Sequence, residues 1–188
     1  MILSDRSILE QIKDSTIYVS PFEPANVQPA SLDLRIGPDF KSFRYPLSRD
    51  IELNPWTSDV SKHMIDHVVG DEGYLLRPGE FALATTMETI GLPGNLVGRV
   101  DGRSSIGRLG IAVHSTAGFI DPGFSGQITL ELSNVGCFPI RLYPGKRVCQ
   151  ISFHLMSTPA DAPYGHPSRT SKYQGQTGAT ASRVIKDA

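Results

Sequence analysis

Between Asp101 and Ser133 the chain reads DGRSSIGRLGIAVHSTAGFIDPGFSGQITLELS, and this window gathers side chains suited to an anionic ligand. Arg103, Ser104, Ser105 and Arg108 open it, and Asp121 sits in a Gly-rich turn (Gly118 to Gly123). Glu131 lies midway along a run that alternates between apolar and polar residues. Guanidinium groups bind phosphate oxygens in bidentate fashion, and free N–H groups at the start of a helical turn attract anions. A carboxylate held beside such a ligand has the chemistry of a general base toward water. Each residue also has a plainer reading. Glu131, Arg103 and Arg108 are types that normally face solvent, and Ser104-Ser105 would serve equally to cap a helical turn. Spacing alone leaves both readings standing.

The elements that would position these residues follow from periodicity. From Gln127 to Ser133, Ile128, Leu130 and Leu132 alternate with polar residues, which predicts a strand with Thr129 and Glu131 together on the face away from the core. Leu32 to Ile36 alternates in the same way and is predicted to end at Gly37-Pro38. Pro-Gly pairs at Pro78-Gly79, Pro93-Gly94 and Pro144-Gly145 suit the centre of tight turns. They predict strands over Phe81–Met87, Leu96–Val100 and Val148–Phe153. Ser4 is placed to cap a short helix with Ile8, Leu9 and Ile12 on one face. Residues 45–71 are weakly patterned and read as a surface excursion. Many short strands and few helices argue for a mainly β barrel or sandwich. After Pro159 the composition turns to Gly, Ser, Thr and Gln, as in a flexible segment.

Composition narrows the function classes. With 188 residues, 39% apolar and 20% charged, the chain is sized for one domain with a real core. A net charge of −1 without runs of like charge argues against nucleic-acid or membrane-surface partners. No apolar stretch approaches a membrane span, and MILSDRSILEQIKD does not read as a signal peptide. Cys137 and Cys149 form no CxxC pair and are expected as reduced thiols, with a cytoplasmic location as the default. His63 and His67 stand four apart, as zinc ligands on a helix do, but no third ligand accompanies them. The H-x-E and P-C-x-x-C elements of zinc-dependent base deaminases are absent from the sequence.

GRSSIGRLG, HSTAGFIDPGFSGQITLELSN, YPGKRVCQISF and KYQGQTG resemble the dCTP deaminases of the trimeric dUTPase superfamily. SDRSI and VQPASLDLRIG extend the resemblance over nearly the whole chain. It implies a distorted β-barrel of the dUTPase-like type with a short N-terminal helix, assembled as a homotrimer with active sites between subunits. The barrel would span residues 1–158, and residues 159–188 would close over the site. Carried over by position, Glu131 is the general base for water attacking C4 of cytosine. Ser104 and the backbone around Ala117 hold the water and the pyrimidine edge, and Arg108 balances charge. The run Arg103, Ser104, Ser105, Ile106, Gly107 and Arg108 contacts the substrate, and Gln150, Tyr164, Lys172 and Gln176 complete its enclosure. Asp121 meets the sugar hydroxyl, while Thr129, Leu130 and Glu131 line the base. Mg²⁺ is expected on the triphosphate rather than in a protein cage, with no zinc.

Gly118-Phe119 and GFIDPGFSG resemble the members that convert dCTP to dUMP and pyrophosphate, Phe124 standing where an aromatic ring stacks on the sugar. The leading expectation is therefore a bifunctional, dUMP-forming dCTP deaminase acting on dCTP and dUTP. Behind it come a deaminase releasing dUTP, a plain dUTPase and a non-catalytic dNTP-binding sensor. dTTP is the feedback inhibitor that the resemblance implies, with His114 and Ser115 as candidate parts of the switch.

Overall fold

The computed structural model describes residues 1–44 and 52–187. Among the described residues two α-helices, α1 (Asp5–Lys13) and α2 (Ser104–Gly107), accompany twelve strands. In chain order these are β1 (Tyr18–Ser20), β2 (Val27–Gln28), β3 (Ser31–Phe43), β4 (Met64–Val68), β5 (Tyr74–Leu76) and β6 (Phe81–Gly91). They continue as β7 (Leu96–Gly102), β8 (Ile111–Val113), β9 (Phe119–Ile120), β10 (Ser125–Asn134), β11 (Ile140–Leu142) and β12 (Arg147–Leu155). A curled sheet runs β8-β10-β6-β3-β12-β7-β9, with β1 added to β6, and β2 and β4 added to β3. β5 and β11 form a separate pair. The architecture is the expected mainly β, distorted barrel.

β3 makes the curl possible, and here the structure corrects the sequence reading. The strand does not stop at Gly37-Pro38 but continues to Phe43. Its first half pairs with β12 (Ile151 opposite Leu32) and its second half with β6 (Ala84 opposite Phe40). The register slips between Ile36 and Phe40. Pro38, which has no N–H to give a ladder, lies at that irregularity, where strands tolerate proline. The residues that look like a terminator therefore bend one strand from one half of the barrel into the other. Phe40, Leu34, Leu130, Ile151 and Phe153 fill the resulting core.

Further expectations are revised. Within the supposed excursion, residues 60–63 form a 3-10 turn and β4 pairs with β3, while residues 45–51 lie outside the described residues. His63 ends that turn and His67 lies in β4, so they do not share a helix face; His67 Nε2 pairs with Ser42 Oγ at 2.9 Å. Ser4 caps α1 as predicted, accepting from the Ser7 N–H, but Leu9 is largely exposed and Ile8 alone is fully buried. The Pro78-Gly79 turn forms, with the Glu80 N–H donating to the Arg77 carbonyl, yet β5 pairs with β11 and β6 pairs elsewhere.

The C-terminal segment is the largest departure from composition. The Gly175 N–H donates to Ser125 O at 2.7 Å, and the Thr180 N–H donates to Thr129 Oγ1 at 3.1 Å. Ala179 and Ala181 are buried against Met64 and Leu83. A stretch poor in large apolar residues is thus ordered by hydrogen bonds to β10 and by two alanines small enough to pack closely. No helix among the described residues is long and apolar enough to cross a membrane.

Both cysteines are free, Cys137 exposed and Cys149 buried. Burial pushes the Cys149 thiol well up, and the nearby Glu88 and Asp33 carboxylates push it further. Only the thiolate reacts, so a thiol reagent at neutral pH should label Cys137 in the folded protein and Cys149 only after denaturation. Mass spectrometry of the two adducts reads the outcome directly.

Candidate active site

The alternation of β10 decides what faces the site. Its burial runs strictly every second residue, with Ile128, Leu130 and Leu132 inward and Thr129 and Glu131 on the other side. That outer face forms one wall of a cavity of about 510 Å³. The β8–β9 loop supplies His114 and Ala117, the β9–β10 turn supplies Asp121 and Phe124, and the C-terminal segment adds Tyr164, Tyr173 and Gln176. Leu83, opposite Glu131 in the β10–β6 register, and Phe81 contribute an apolar floor.

Glu131 is half-buried, and its Oε2 accepts a hydrogen bond from Thr116 Oγ1 at 2.9 Å. Its main-chain carbonyl accepts from the His114 N–H at 2.8 Å, so strand and loop hold the same residue from two directions. His114 is a non-glycine residue at φ 63°, a costly left-handed conformation. Its Nε2 lies 2.6 Å from the Ala117 carbonyl, which only accepts, so Nε2 carries the proton. Tyr164 receives the Tyr173 N–H on its hydroxyl at 2.8 Å, and burial pushes its pKa above the usual tyrosine value, keeping it protonated. The Phe124 and Tyr164 rings lie 6.0 Å apart.

Among the described residues, two buried side-chain atoms lack a hydrogen-bond partner, His114 Nδ1 and Gln176 Oε1, and both residues line this cavity. Gln176 Nε2 donates to Gln127 O at 2.8 Å, which turns its oxygen the other way. With the His114 ring neutral, both unpartnered atoms are acceptors. A molecule that satisfies them brings hydrogen-bond donors, such as an amine or a hydroxyl.

The remaining predicted residues gather elsewhere. Arg103 Nε lies 3.1 Å and Arg147 Nη1 3.3 Å from the same oxygen of Asp33, a carboxylate that is 3% exposed. Beside them Gln150 Oε1 accepts from Ser31 Oγ, and its Nε2 donates to Gly102 O. Ser104, Ser105, Gly107 and Arg108 are exposed on or just after α2, whose N-cap is Arg103 rather than a serine, and Ile106 packs toward the core. Lys172 is paired with Asp187. None of these lines the cavity, and the Leu130 side chain is wholly in the core. The predicted site thus falls into a pocket set (Glu131, Thr129, Asp121, Ala117, Tyr164, Gln176) and a basic, hydroxyl-bearing set around α2.

Gly118 lies in close contact with β7. A Cβ there would meet the Val100 carbonyl at 2.8 Å, and the Gly118 carbonyl accepts from the Val100 N–H at 2.7 Å. The glycine is required by close approach to β7, while its neighbour Phe119 is exposed, lines the cavity and carries the Arg99 guanidinium 5.9 Å from its ring centre. Sequence reasoning did not identify Thr116, Phe81 or Leu83 as site residues. The last two are recognisable only once the β6–β10 register is known.

A family model described as dCTP deaminase-like matches residues 2–156. The chain belongs to that family. Its curated relatives include proteins named "dCTP deaminase, dUMP-forming" from Methanothermobacter thermautotrophicus and Dictyoglomus thermophilum. The first is 53% identical over 188 residues, covering 99% of this chain and 95% of the relative. The second is 49% identical over 191 residues, covering 100% and 96%. Among solved structures, the 2'-deoxycytidine 5'-triphosphate deaminase from Agrobacterium tumefaciens superposes with a TM-score of 0.61 at 28% identity, over 82% of this chain. The match spans about half of that solved chain, 47%.

Within this dCTP deaminase-like chain, Gly118 offers a direct test of the loop. Gly118→Ala should displace residues 114–119 and lower stability by about 1–3 kcal/mol, the usual range for overpacking. Denaturant melts measure that loss. An unchanged midpoint would show that the contact with β7 is not restrictive.

Proposed function

We propose that this protein is a bifunctional dCTP deaminase: dCTP and two waters give dUMP, pyrophosphate and ammonia. The observation that carries this reading is Glu131, a half-buried carboxylate on a cavity wall and hydrogen-bonded to Thr116. The dUMP-forming outcome is favoured by full-length identity to relatives carrying that name.

In the first step Glu131 takes a proton from water as its oxygen attacks C4 of cytosine. The carboxylic acid so formed gives this proton to N3, then takes the proton of the new C4 hydroxyl and passes it to the exocyclic nitrogen. The C4–N bond breaks and ammonia leaves, with the uracil carbonyl formed in its place. A half-buried carboxylate can exchange protons in this way without crossing bulk water. The unpartnered acceptors Gln176 Oε1 and His114 Nδ1 suit the nucleoside end of the substrate, which offers an amine and a sugar hydroxyl. Ionised phosphates offer neither. Asp121 lines the same cavity and is the candidate for the sugar hydroxyl and for orienting the second water. Phe124 is the candidate ring beneath the sugar.

The phosphates are assigned to Arg103, Ser104, Ser105 and Arg108, with Gln150 and Lys172 alongside. Because these residues do not line the pocket of their own chain, the reading includes a homotrimer in which α2 of one subunit completes the cavity of the next. The C-terminal segment, which supplies Tyr164 and Gln176, acts as the cover. Among the described residues no three His, Cys, Asp or Glu side chains cluster as a metal cage. This donor set suits a Mg²⁺ that takes its oxygens from the triphosphate and water; when bound, it would neutralise phosphate charge. dTTP inhibition belongs to the same reading. It is supported by the strained His114, whose ring occupies the Ala117 carbonyl that the pyrimidine edge would need. The reaction is placed in the cytoplasm with its nucleotide substrates.

Incubation with dCTP and Mg²⁺ should yield dUMP, pyrophosphate and ammonia, and accumulation of dUTP as end product would reduce the activity to deamination alone. Glu131→Gln should lower ammonia release by about 10²–10⁴-fold, the usual contribution of a general base, while nucleotide binding persists. A silent sensor would instead bind dNTPs and release no ammonia even as wild type. Mixing Glu131→Gln with Ser104→Ala subunits, each nearly inactive alone, should restore activity at sites that pair two intact contributions. No recovery after verified subunit exchange would mean that each site is built within one chain.

A further inference from the structure

We propose that Gln127 is a positioning residue: it ties down the C-terminal segment and thereby sets which end of the Gln176 carboxamide faces the cavity. All its hydrogen-bonding groups are engaged. The side-chain Nε2 donates to Thr86 O on β6 at 2.9 Å, and Oε1 accepts from the Gly178 N–H at 2.7 Å. The main-chain N–H donates to Gln176 O at 3.0 Å, and the main-chain carbonyl accepts from Gln176 Nε2 at 2.8 Å. Three of these four contacts go to residues 176–178.

Local backbone geometry makes this possible. The β10–β6 register slips between Gln127 and Thr129, and the Ile128 N–H turns to Thr86 Oγ1 at 3.0 Å rather than to a ladder carbonyl. An irregularity of this kind takes main-chain groups out of the ladder, and here those of Gln127 meet the C-terminal segment. Gly126 allows the approach, because a Cβ there would stand 3.0 Å from both N and O of Gln176.

The consequence is one of polarity. A carbonyl only accepts, so Gln127 O fixes the NH₂ of Gln176 toward itself and leaves Oε1 as a buried acceptor without a partner. Freed from Gln127, the segment would present either end of the amide, and the cavity would lose its defined acceptor. Glu131 lies four residues along the strand and is held separately by Thr116. The effect therefore falls on substrate capture and not on the bond-breaking step. The kinetic part of this inference rests on the proposed deaminase activity; the structural part does not.

The test uses Gln127→Ala and the volume-conserving Gln127→Met in the full-length protein, with two readouts. Amide hydrogen exchange in the nucleotide-free protein should quicken about tenfold or more over residues 174–181, in line with the loss of about one hydrogen bond. Exchange at Leu130 and Leu132 should stay unchanged. With dCTP and Mg²⁺, KM should rise about tenfold on the same basis, while kcat stays within about threefold. Combining either variant with Gln176→Ala should give no further rise in KM, since both act on one contact. Unchanged exchange over residues 174–181, multiplicative KM effects, or a loss confined to kcat would each overturn the proposal. Should Gln127→Met unfold, Gln127→Glu keeps an acceptor for the Gly178 N–H and is expected to retain slow exchange there; exchange as fast as in Gln127→Ala would again overturn it. A wild-type protein that fails to turn over dCTP would refute the deaminase reading and leave the exchange result to decide the role of Gln127.

Discussion

β10 must satisfy two environments at once. Its inward residues close the barrel core, and the residues between them form the wall of the cavity, so every functional position is fixed by the packing of its neighbours. A slip of one residue would carry Glu131 into the core and Leu130 into the pocket. Leu130 and Leu132 are fully buried, which makes such a slip expensive in lost apolar burial as well as in a stranded carboxylate. The β10–β6 register slips near Gln127, at the end of the strand where the C-terminal segment docks. Precision at Glu131 and adaptability at Gln127 thus come from a single strand.

The second constraint is electrostatic. Asp33 is almost wholly buried and touches two guanidinium groups, Arg103 and Arg147. A buried carboxylate without partners would be prohibitive, and removing one partner from such a cluster is strongly destabilising. The arginines are also pinned by it, which sets the direction in which Arg103 can reach. LDLRI alternates as a strand, yet its acid is buried with the rest because the arginines cover it.

Much of the fold was legible where a local rule acts alone. The Ser4 cap, the Pro-Gly turns and the β10 alternation are short-range, and each appears where the pattern puts it. What the sequence could not display is pairing. Nothing in residues 74–81 says that β5 leaves its neighbour for β11, and Gly37-Pro38 has the same chemistry whether a strand ends or bends. The C-terminal segment misleads for a related reason. Composition measures the apolar burial that a segment can contribute, whereas this one is held by hydrogen bonds to a strand fifty residues earlier. Site residues divide along the same line. Glu131, Asp121 and Thr129 follow from periodicity and motif, but Leu83 and Phe81 enter the cavity only through register, and Thr116 through a loop that folds back onto the strand.

The division of predicted residues into two sets carries a further physical implication. Within one chain, the cavity presents two carboxylates and two unpartnered acceptors, while Arg103 and Arg108 with the paired serines lie outside it. Such a cavity would repel a triphosphate and accept a neutral group rich in donors. A nucleotide is polar in the complementary sense, with amine and hydroxyl donors at one end and acceptors alone at the other. If one protein surface is to bind both ends, the basic set must approach the mouth of the cavity without entering it, so that the attacking water stays beside Glu131 while the phosphate charge is met by the guanidiniums. In the proposed homotrimer, residues on α2 of a neighbouring copy meet that requirement. On the proposed reading, assembly is therefore part of the chemistry: an isolated subunit would hold the base that activates water and lack the charges that bring the substrate to it.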